Sequence, residues 1–205
     1  MKITLENIGR RFNQEWIFRE MNYTFENGLS YAVLGANGSG KSTLLQIISG
    51  SLSPSSGKIA YSKSHTPIEV ERIFEHLSMA APYLDLVEEF TLEELVHFHF
   101  KFKPYRDELN SEAFIKLLGM ERARHKMLKN FSSGMKQRVK LGLACCTNSP
   151  ILLLDEPTSN LDHQGVDWYL SLMEQYSAGR LLIICSNQPH EYDFCTHQLQ
   201  ISDYK

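Results

Sequence analysis

The sequence predicts an α/β fold with a parallel sheet at its core, an N-terminal antiparallel β-subdomain and an inserted α-helical subdomain. Largely apolar runs at residues 29–34, 151–154 and 181–185 are typical of buried parallel strands. Helix-forming stretches separate these runs, as expected when crossover helices join parallel strands. Residues 1–25 instead contain two β-like runs, which indicate an antiparallel hairpin ahead of the core.

The first β-like run covers residues 1–8, where apolar and polar side chains alternate, and the second covers residues 16–25. Asn13-Gln14 is the expected turn between them, and Asn27-Gly28 is the turn before the strand at 29–34. We predict further strands at residues 58–61, 77–81 and 198–201.

Residues 84–130 are predicted to be helical. Thr91 is the expected N-cap of a helix that continues to Phe100, and a second amphipathic helix covers residues 111–118. Further helices are predicted at residues 131–147, 163–176 and 191–194. We therefore expect one domain of 205 residues with a helical subdomain inserted at about residues 84–147.

A glycine-rich stretch between the strand at 29–34 and the next helix fits G-x-x-x-x-G-K-[ST], the phosphate-binding loop or Walker A motif. Its glycines let backbone N–H groups point inward, and the helix that follows presents its N-terminus to the same anion. A lysine adds a charge for the β- and γ-phosphates, and a serine hydroxyl offers a ligand for Mg²⁺. The predicted nucleotide-binding residues are Gly35, Asn37, Gly38, Ser39, Gly40, Lys41, Ser42 and Thr43.

Two acidic residues follow the apolar run 151–154, at the end of a strand where open α/β sheets bind ligands. Asp155 is placed to bind Mg²⁺ together with Ser42. Glu156 is placed to polarise an attacking water, as a catalytic base does. Phe12 lies in the first turn region, where an aromatic ring can stack on adenine; a core or rim phenylalanine is the alternative.

Composition limits the partners and the cellular compartment that we expect for this chain. A formal net charge of −3 gives no sign of a nucleic-acid partner, and no apolar run approaches the roughly 20 residues that span a bilayer. The first residues lack the apolar core of a signal peptide. The four cysteines form no C-x-x-C pair, so we expect reduced thiols in a cytoplasmic protein.

The phosphate loop, the segment FSSGMKQ at 131–137 and the segment ILLLDEPTSNLD at 151–162 occur in that order. The chain resembles an ATP-binding cassette (ABC) ATPase over essentially its whole length, and FSSGMKQ is similar to the family signature L-S-G-G-Q. The resemblance implies a homodimer with two ATP molecules between the copies, each capped by Ser132, Ser133 and Gly134 of the opposite copy. It also implies that Phe12 stacks on adenine.

The resemblance further implies an integral membrane transporter subunit as partner. The cassette would then lie at the inner face of the cell membrane. Compact single-cassette subunits of haem exporters, or of small drug and lipid exporters, are the most similar type. The partner surface is expected around residues 81–90, where several apolar side chains occur, although they fit a core equally well.

The chain also departs from the family pattern. At the switch position, where the family has histidine, this chain has Asn187, which donates a hydrogen bond but carries no proton charge. His190 lies three residues further on as a possible substitute. Neither Ala80 nor Ala81 is the glutamine that the family places there as a Mg²⁺ ligand. These departures favour ATP binding over fast hydrolysis.

Two functions of different classes follow. The first is the ATP-hydrolysing subunit of a transporter, in which Glu156 and Asn187 are the catalytic residues. The alternative is a nucleotide-gated regulatory module with slow or no hydrolysis, which Asn187 favours and Glu156 opposes. A cassette that acts on nucleic acid is the least supported reading, because the chain has no basic arm.

Overall fold

The computed structural model describes all 205 residues and contains nine strands and six α-helices. The strands are β1 (Lys2–Phe12), β2 (Glu15–Glu26), β3 (Ser30–Leu34), β4 (Ser56–Lys63), β5 (Thr66–Ile68), β6 (Leu77–Ala80), β7 (Ile151–Asp155), β8 (Leu181–Cys185) and β9 (His197–Gln200). The helices are α1 (Lys41–Ile48), α2 (Leu92–Phe102), α3 (Ser111–Leu117), α4 (Ser133–Cys146), α5 (His163–Tyr176) and α6 (Pro189–Tyr192).

The residues form two compact units. The first consists of Met1–Leu77, Pro150–Glu156 and Gly179–Lys205, and the second of Ser78–Ser149 and Pro157–Ala178. The predicted insertion at 84–147 lies inside the second unit. That the whole chain is a single domain stays a prediction.

The antiparallel sheet of the first unit has the strand order β2-β1-β4-β5. Ile3, Leu5 and Ile8 are buried, so the predicted alternation along the first strand is correct. The strand continues to Phe12, which is therefore a strand residue and not a turn residue as predicted. The sequence did not indicate β5, because the strand has only three residues and contains Pro67.

The parallel strands of the first unit lie in the order β7-β8-β3-β9. Every residue of β7 and β8 is buried, which confirms the parallel core. Cys185 pairs with Asp155 on one side and with Val33 on the other. Asp155 and Cys185 end their strands and Val33 lies one residue before the end of β3, so the loops that follow these strands leave the sheet at the same edge.

The helices of the second unit begin where side chains can cap them. Thr91 and Glu94 form a reciprocal capping box at the start of α2, and Asp162 caps α5 by accepting from the Gly165 amide at 2.8 Å. The boundaries of α5 and β8 match the prediction. The prediction of helix from residue 84 onward was wrong, because residues 82–90 are turns and irregular backbone.

None of the helices combines the length and the apolar character that crossing a bilayer requires.

Smaller corrections concern the last elements of the chain. The short helix predicted at 191–194 lies at Pro189–Tyr192, and the strand predicted at 198–201 lies at His197–Gln200. Both shifts are within the range in which helix and strand ends are ordinarily uncertain from sequence.

Candidate active site

The loop between β3 and α1 has the backbone that the glycine motif predicts. Gly35, Gly38 and Gly40 all have positive φ angles, of 152°, 76° and 109°. A Cβ atom at Gly40 would lie 2.4 Å from Ile17 Cγ2, so a larger residue would have to displace the Ile17 side chain on β2. The loop can thus fold tightly at the N-terminus of α1, with its amides available to an anion.

Lys41 is the first residue of α1, and its side chain lies back over the loop. Its Nζ donates to the carbonyls of Gly35 at 2.7 Å and Ala36 at 3.2 Å. The lysine is only 5% exposed, so its charge is directed at the loop and not at bulk solvent. A cavity of about 180 Å³ adjoins it. Its walls include Ile17, Glu156 and the loop residues Asn37, Gly38, Gly40, Ser42 and Thr43.

Asp155 ends β7 and is 2% exposed. Neither of its carboxylate oxygens accepts a hydrogen bond of normal geometry. Burial raises its pKa to about 6, and the nearby Ser42 hydroxyl and Lys41 ammonium keep the pKa below what burial alone would give. A buried carboxylate with two unoccupied oxygens beside a serine hydroxyl has the donor atoms that Mg²⁺ prefers, so these residues fit the ion.

Glu156 follows Asp155 and lines the same cavity. Its φ angle is +42°, a left-handed conformation that is uncommon for a residue with a side chain. Its amide donates to the carbonyl of Cys185 at 2.9 Å, which fixes this turn to the end of β8. Backbone strain of this kind is found at functional sites, where the surrounding structure holds it in place.

Asn187 lies in the loop after β8 and contacts the phosphate loop. Its Nδ2 donates to Asn37 Oδ1 at 2.7 Å. The structure therefore brings the predicted switch residue to the phosphate loop directly. His190, the possible substitute, lies half-buried on α6.

A buried pair beneath Asn187 was not predicted from the sequence. The Ser186 hydroxyl donates to the Glu191 carboxylate in a short hydrogen bond and accepts from the Gln188 amide at 2.8 Å. Ser186 is fully buried and Glu191 is 1% exposed. The pair thus fixes the loop that carries Asn187. A serine five residues before a glutamate was the only signal in the sequence, and it is not specific.

Phe12 lies at the end of β1, and 47% of its surface is exposed. The ring is therefore not a core residue, and its exposure fits both a stacking role and a rim phenylalanine. Ile17, on the paired strand, lines the cavity beside the phosphate loop and was not predicted as a site residue.

The signature-like segment lies in the second unit, at the start of α4. Ser132 is the N-cap and accepts from the Met135 amide at 3.2 Å, while Ser133 and Gly134 form the first turn. A Cβ atom at Gly134 would lie 2.8 Å from the carbonyl oxygen of Asn160, so glycine is required for this close approach. The Ser132 and Ser133 side chains are exposed.

The position of the missing glutamine has its own contacts. Ala80 and Ala81 are buried, and Lys140 on α4 donates from Nζ to the carbonyls of Ala81 and Pro82, both at 3.2 Å. Lys136, one turn earlier on α4, pairs with Glu88. The segment 81–88 is therefore attached to the signature helix by two lysines.

The sequence profile of the ABC transporter family matches residues 18–159. The chain belongs to this family. It is an ATP-binding subunit of an ABC transporter, and thus an ATPase, as its phosphate loop and acidic strand end indicated.

Two relatives show how far the similarity of this ABC protein extends. The chain is 30% identical over 196 residues to the ABC transporter ATP-binding protein YybJ of Bacillus subtilis, and this match covers 92% of the chain and 87% of YybJ. It is 27% identical to the human retinal-specific phospholipid-transporting ATPase ABCA4, over 88% of the chain. The chain spans only 8% of the length of ABCA4.

Solved structures share the fold. An ABC transporter ATP-binding protein from Pyrococcus furiosus superposes with a TM-score of 0.82 at 22% identity, covering 100% of both chains. The dimeric bacterial ABC cassette MJ0796 superposes with a TM-score of 0.79 at 22% identity, covering 97% of this chain and 94% of the other. ABC cassettes dimerise, as the MJ0796 structure illustrates.

Proposed function

We propose that this ABC protein works as a homodimer that closes around two ATP molecules and, through their hydrolysis, moves a separate membrane-spanning partner. The observation that supports this proposal most directly is the cavity that the phosphate loop and Glu156 line together. Within this proposal, residues 1–205 form a single nucleotide-binding domain, and the protein lies at the inner face of the cell membrane through its partner.

The phosphate loop would hold the nucleotide. The amides of residues Gly35 to Thr43 surround the phosphates, and Lys41 leaves its loop carbonyls to contact the β- and γ-phosphates. Ser42 and Asp155 would hold Mg²⁺, which supplies charge neutralisation of the phosphates when bound. The two hydrogen-bond-free oxygens of Asp155 support this assignment.

Glu156 would orient and polarise the attacking water. The water oxygen attacks the γ-phosphorus in line, the bond to the bridging oxygen breaks, and ADP and phosphate result. Asn187 donates a hydrogen bond to the γ-phosphate but cannot take up a proton as histidine does. We therefore propose slow turnover in the absence of the membrane partner.

Ser132, Ser133 and Gly134 would cap the γ-phosphate bound to the opposite copy. Their position at the N-terminus of a 14-residue helix, with two exposed serine side chains, suits an anion presented from outside the chain. The dimeric MJ0796 cassette, which shares the fold, supports a two-copy arrangement.

The membrane partner would dock on the exposed apolar residues after β6. Tyr83, Leu84 and Val87 are 42%, 38% and 45% exposed, more than core residues would be. On α2, Phe98 and Phe102 are also exposed; the Phe98 ring lies 5.6 Å from that of Phe90, at the end of the same segment, and 5.2 Å from that of Phe102. An apolar helix of an integral membrane protein is the partner that such a surface fits.

Among the export systems that the sequence resembles, we propose one that moves a lipid. ABCA4 is a phospholipid-transporting ATPase by name, and its similarity covers most of this chain. The haem-exporter resemblance stays a prediction. Purification of the cassette with its membrane partner, followed by ATPase measurements with added phospholipid or haem, separates the two: stimulation by haem alone would contradict the lipid proposal.

Phosphate release by the purified chain, measured at increasing protein concentration, tests the dimer mechanism. We expect the rate per subunit to rise with concentration, because two copies complete each site. Glu156→Gln should lower the rate by at least about a hundredfold and accumulate an ATP-bound dimer, and Lys41→Ala should lose ATP binding. A rate per subunit independent of concentration, with Glu156→Gln active, would contradict the mechanism.

A further inference from the structure

We propose that Arg10 is a positioning residue that holds the Phe12 ring for stacking on the adenine of the bound nucleotide. The inference rests on the proposed function, in which Phe12 stacks on adenine, and adds a residue that neither the sequence motifs nor the cavity indicated.

Arg10 lies over the aromatic ring of Phe12. Its guanidinium carbon is 4.6 Å from the ring centroid, within the range of a cation–π contact. Phe12 nevertheless keeps 47% of its surface exposed, so the arginine leaves ring area for a second partner. A nucleobase is a suitable second partner, because every base has a flat π-face.

The guanidinium itself is anchored. Its Nη1 donates to the carbonyl of Ser53 at 3.1 Å, and its Nε is buried without a hydrogen bond. The hydrogen bond to Ser53 therefore restricts the arginine more than an ordinary surface side chain. It is held by the loop that follows α1, and α1 begins at the phosphate-binding lysine.

Backbone contacts attach the same loop to the end of β1. The Ser55 amide donates to the Gly9 carbonyl at 2.7 Å, and the Arg11 amide donates to Ser55 Oγ at 3.2 Å. Together with the Arg10 side chain, these bonds join the strand that carries Phe12 to the loop after the phosphate-binding helix. The end of β1 and the Arg10 side chain that covers the Phe12 ring are thus attached to this loop.

A fixed ring binds a base better than a mobile one. A surface phenylalanine that must be ordered when the base arrives loses conformational entropy at that moment, and the loss weakens binding. Arg10 removes part of this loss before the nucleotide binds. Because cation–π contacts at exposed sites are weak, we expect the arginine to improve affinity by about two- to fivefold.

The experiment compares calorimetric affinities for ADP, which carries the base, and pyrophosphate, which does not, in the presence of Mg²⁺. Arg10→Met should weaken ADP binding by about two- to fivefold and leave pyrophosphate binding unchanged. Arg10→Lys should lie between this variant and the wild type. Equal pyrophosphate affinity also shows that the variant is folded at the phosphate loop.

Arg11→Met is the matched control, because it removes the same charge from the neighbouring residue. Arg11 lies over Trp16, at 5.7 Å, and not over Phe12. This variant should bind both ligands as the wild type does. If Arg11→Met weakened ADP as much as Arg10→Met does, the effect would be one of overall charge and the proposal would be overturned.

Two further outcomes overturn the proposal at different levels. In the first, Phe12→Ala weakens ADP binding by about fivefold or more, while Arg10→Met binds ADP at least as tightly as the wild type. Phe12 then stacks on the base, but Arg10 does not position it. If Phe12→Ala leaves the ADP affinity unchanged, the stacking role in the proposed function fails, and the inference fails with it.

Discussion

Asp155 is a carboxylate that is buried in the folded chain while its hydrogen-bonding capacity is left largely unused. It is 2% exposed, neither oxygen accepts a hydrogen bond of normal geometry, and burial raises its pKa to about 6 from an ordinary value of 3.8, although the nearby Ser42 hydroxyl opposes the rise. Such a residue destabilises the protein that contains it, because an ionised carboxylate loses hydration on folding. A cation bound there during the proposed function would offset this cost.

Replacement of Asp155 by Asn should stabilise the protein free of nucleotide and metal. The folded-state pKa is raised, so ionisation of Asp155 destabilises the fold above pH 6 by about 3 kcal/mol, and this penalty disappears as the pH falls below about 4. We expect Asp155→Asn to raise the free energy of unfolding by about 1–3 kcal/mol at pH 7.5 and by less at pH 5, measured by urea denaturation in EDTA.

Asp203→Asn serves as the control, because Asp203 is exposed and its replacement should change stability equally little at both pH values. An Asp155→Asn variant that is no more stable than the wild type at pH 7.5 would show that the carboxylate has partners other than the bound cation.

At the scale of elements, the signature helix α4 holds the segment that contains the proposed partner surface. Lys140 donates to the carbonyls of Ala81 and Pro82, and Lys136 pairs with Glu88. Burial lowers the pKa of Lys140, although Asp85 opposes this effect. A movement imposed on residues 83–87 by a partner would therefore pass to the helix that begins with the signature serines.

Lys140→Met removes this attachment and keeps the length of the side chain. We expect amide hydrogen exchange in residues 83–90 to become about three- to tenfold faster, while the amides of α5 keep the wild-type rate. Lys116→Met, on the exposed face of α3, is the matched control and should change neither region. Unchanged exchange in 83–90 would mean that Lys136 and the backbone contacts suffice to hold the segment.

The elements themselves were largely predictable from the sequence, whereas the contacts between them were not. The capping aspartate of α5 and the uninterrupted apolar run of β8 are local signals, and both elements were located correctly. The pairing of Lys140 with Ala81, 59 residues away in the chain, depends on how elements pack. The same is true of Arg10 with Ser53, whereas β5 was missed because three residues are too short for a pattern.

At the scale of the whole molecule, the parts of the proposed site belong to different units. The first unit carries the phosphate loop, Asp155 and Glu156, and the second carries Ser132 to Gly134. If the site is completed between copies, the two sets of residues do not have to come from one chain. A mixture of two inactive variants can then be active, which a site completed within one chain does not allow.

Lys41→Ala disables the phosphate loop. Ser133→Glu places a negative charge where the γ-phosphate of the opposite copy would bind. It should not destabilise α4, because acidic side chains are favourable at a helix N-terminus. Each variant alone should release phosphate near background. An equal mixture should recover about a quarter of the wild-type rate, because half of the dimers are mixed and each has one complete site of two. Size-exclusion chromatography of differently tagged chains checks that mixed dimers form. If they form and the mixture still releases phosphate only at background, a site shared between copies is contradicted.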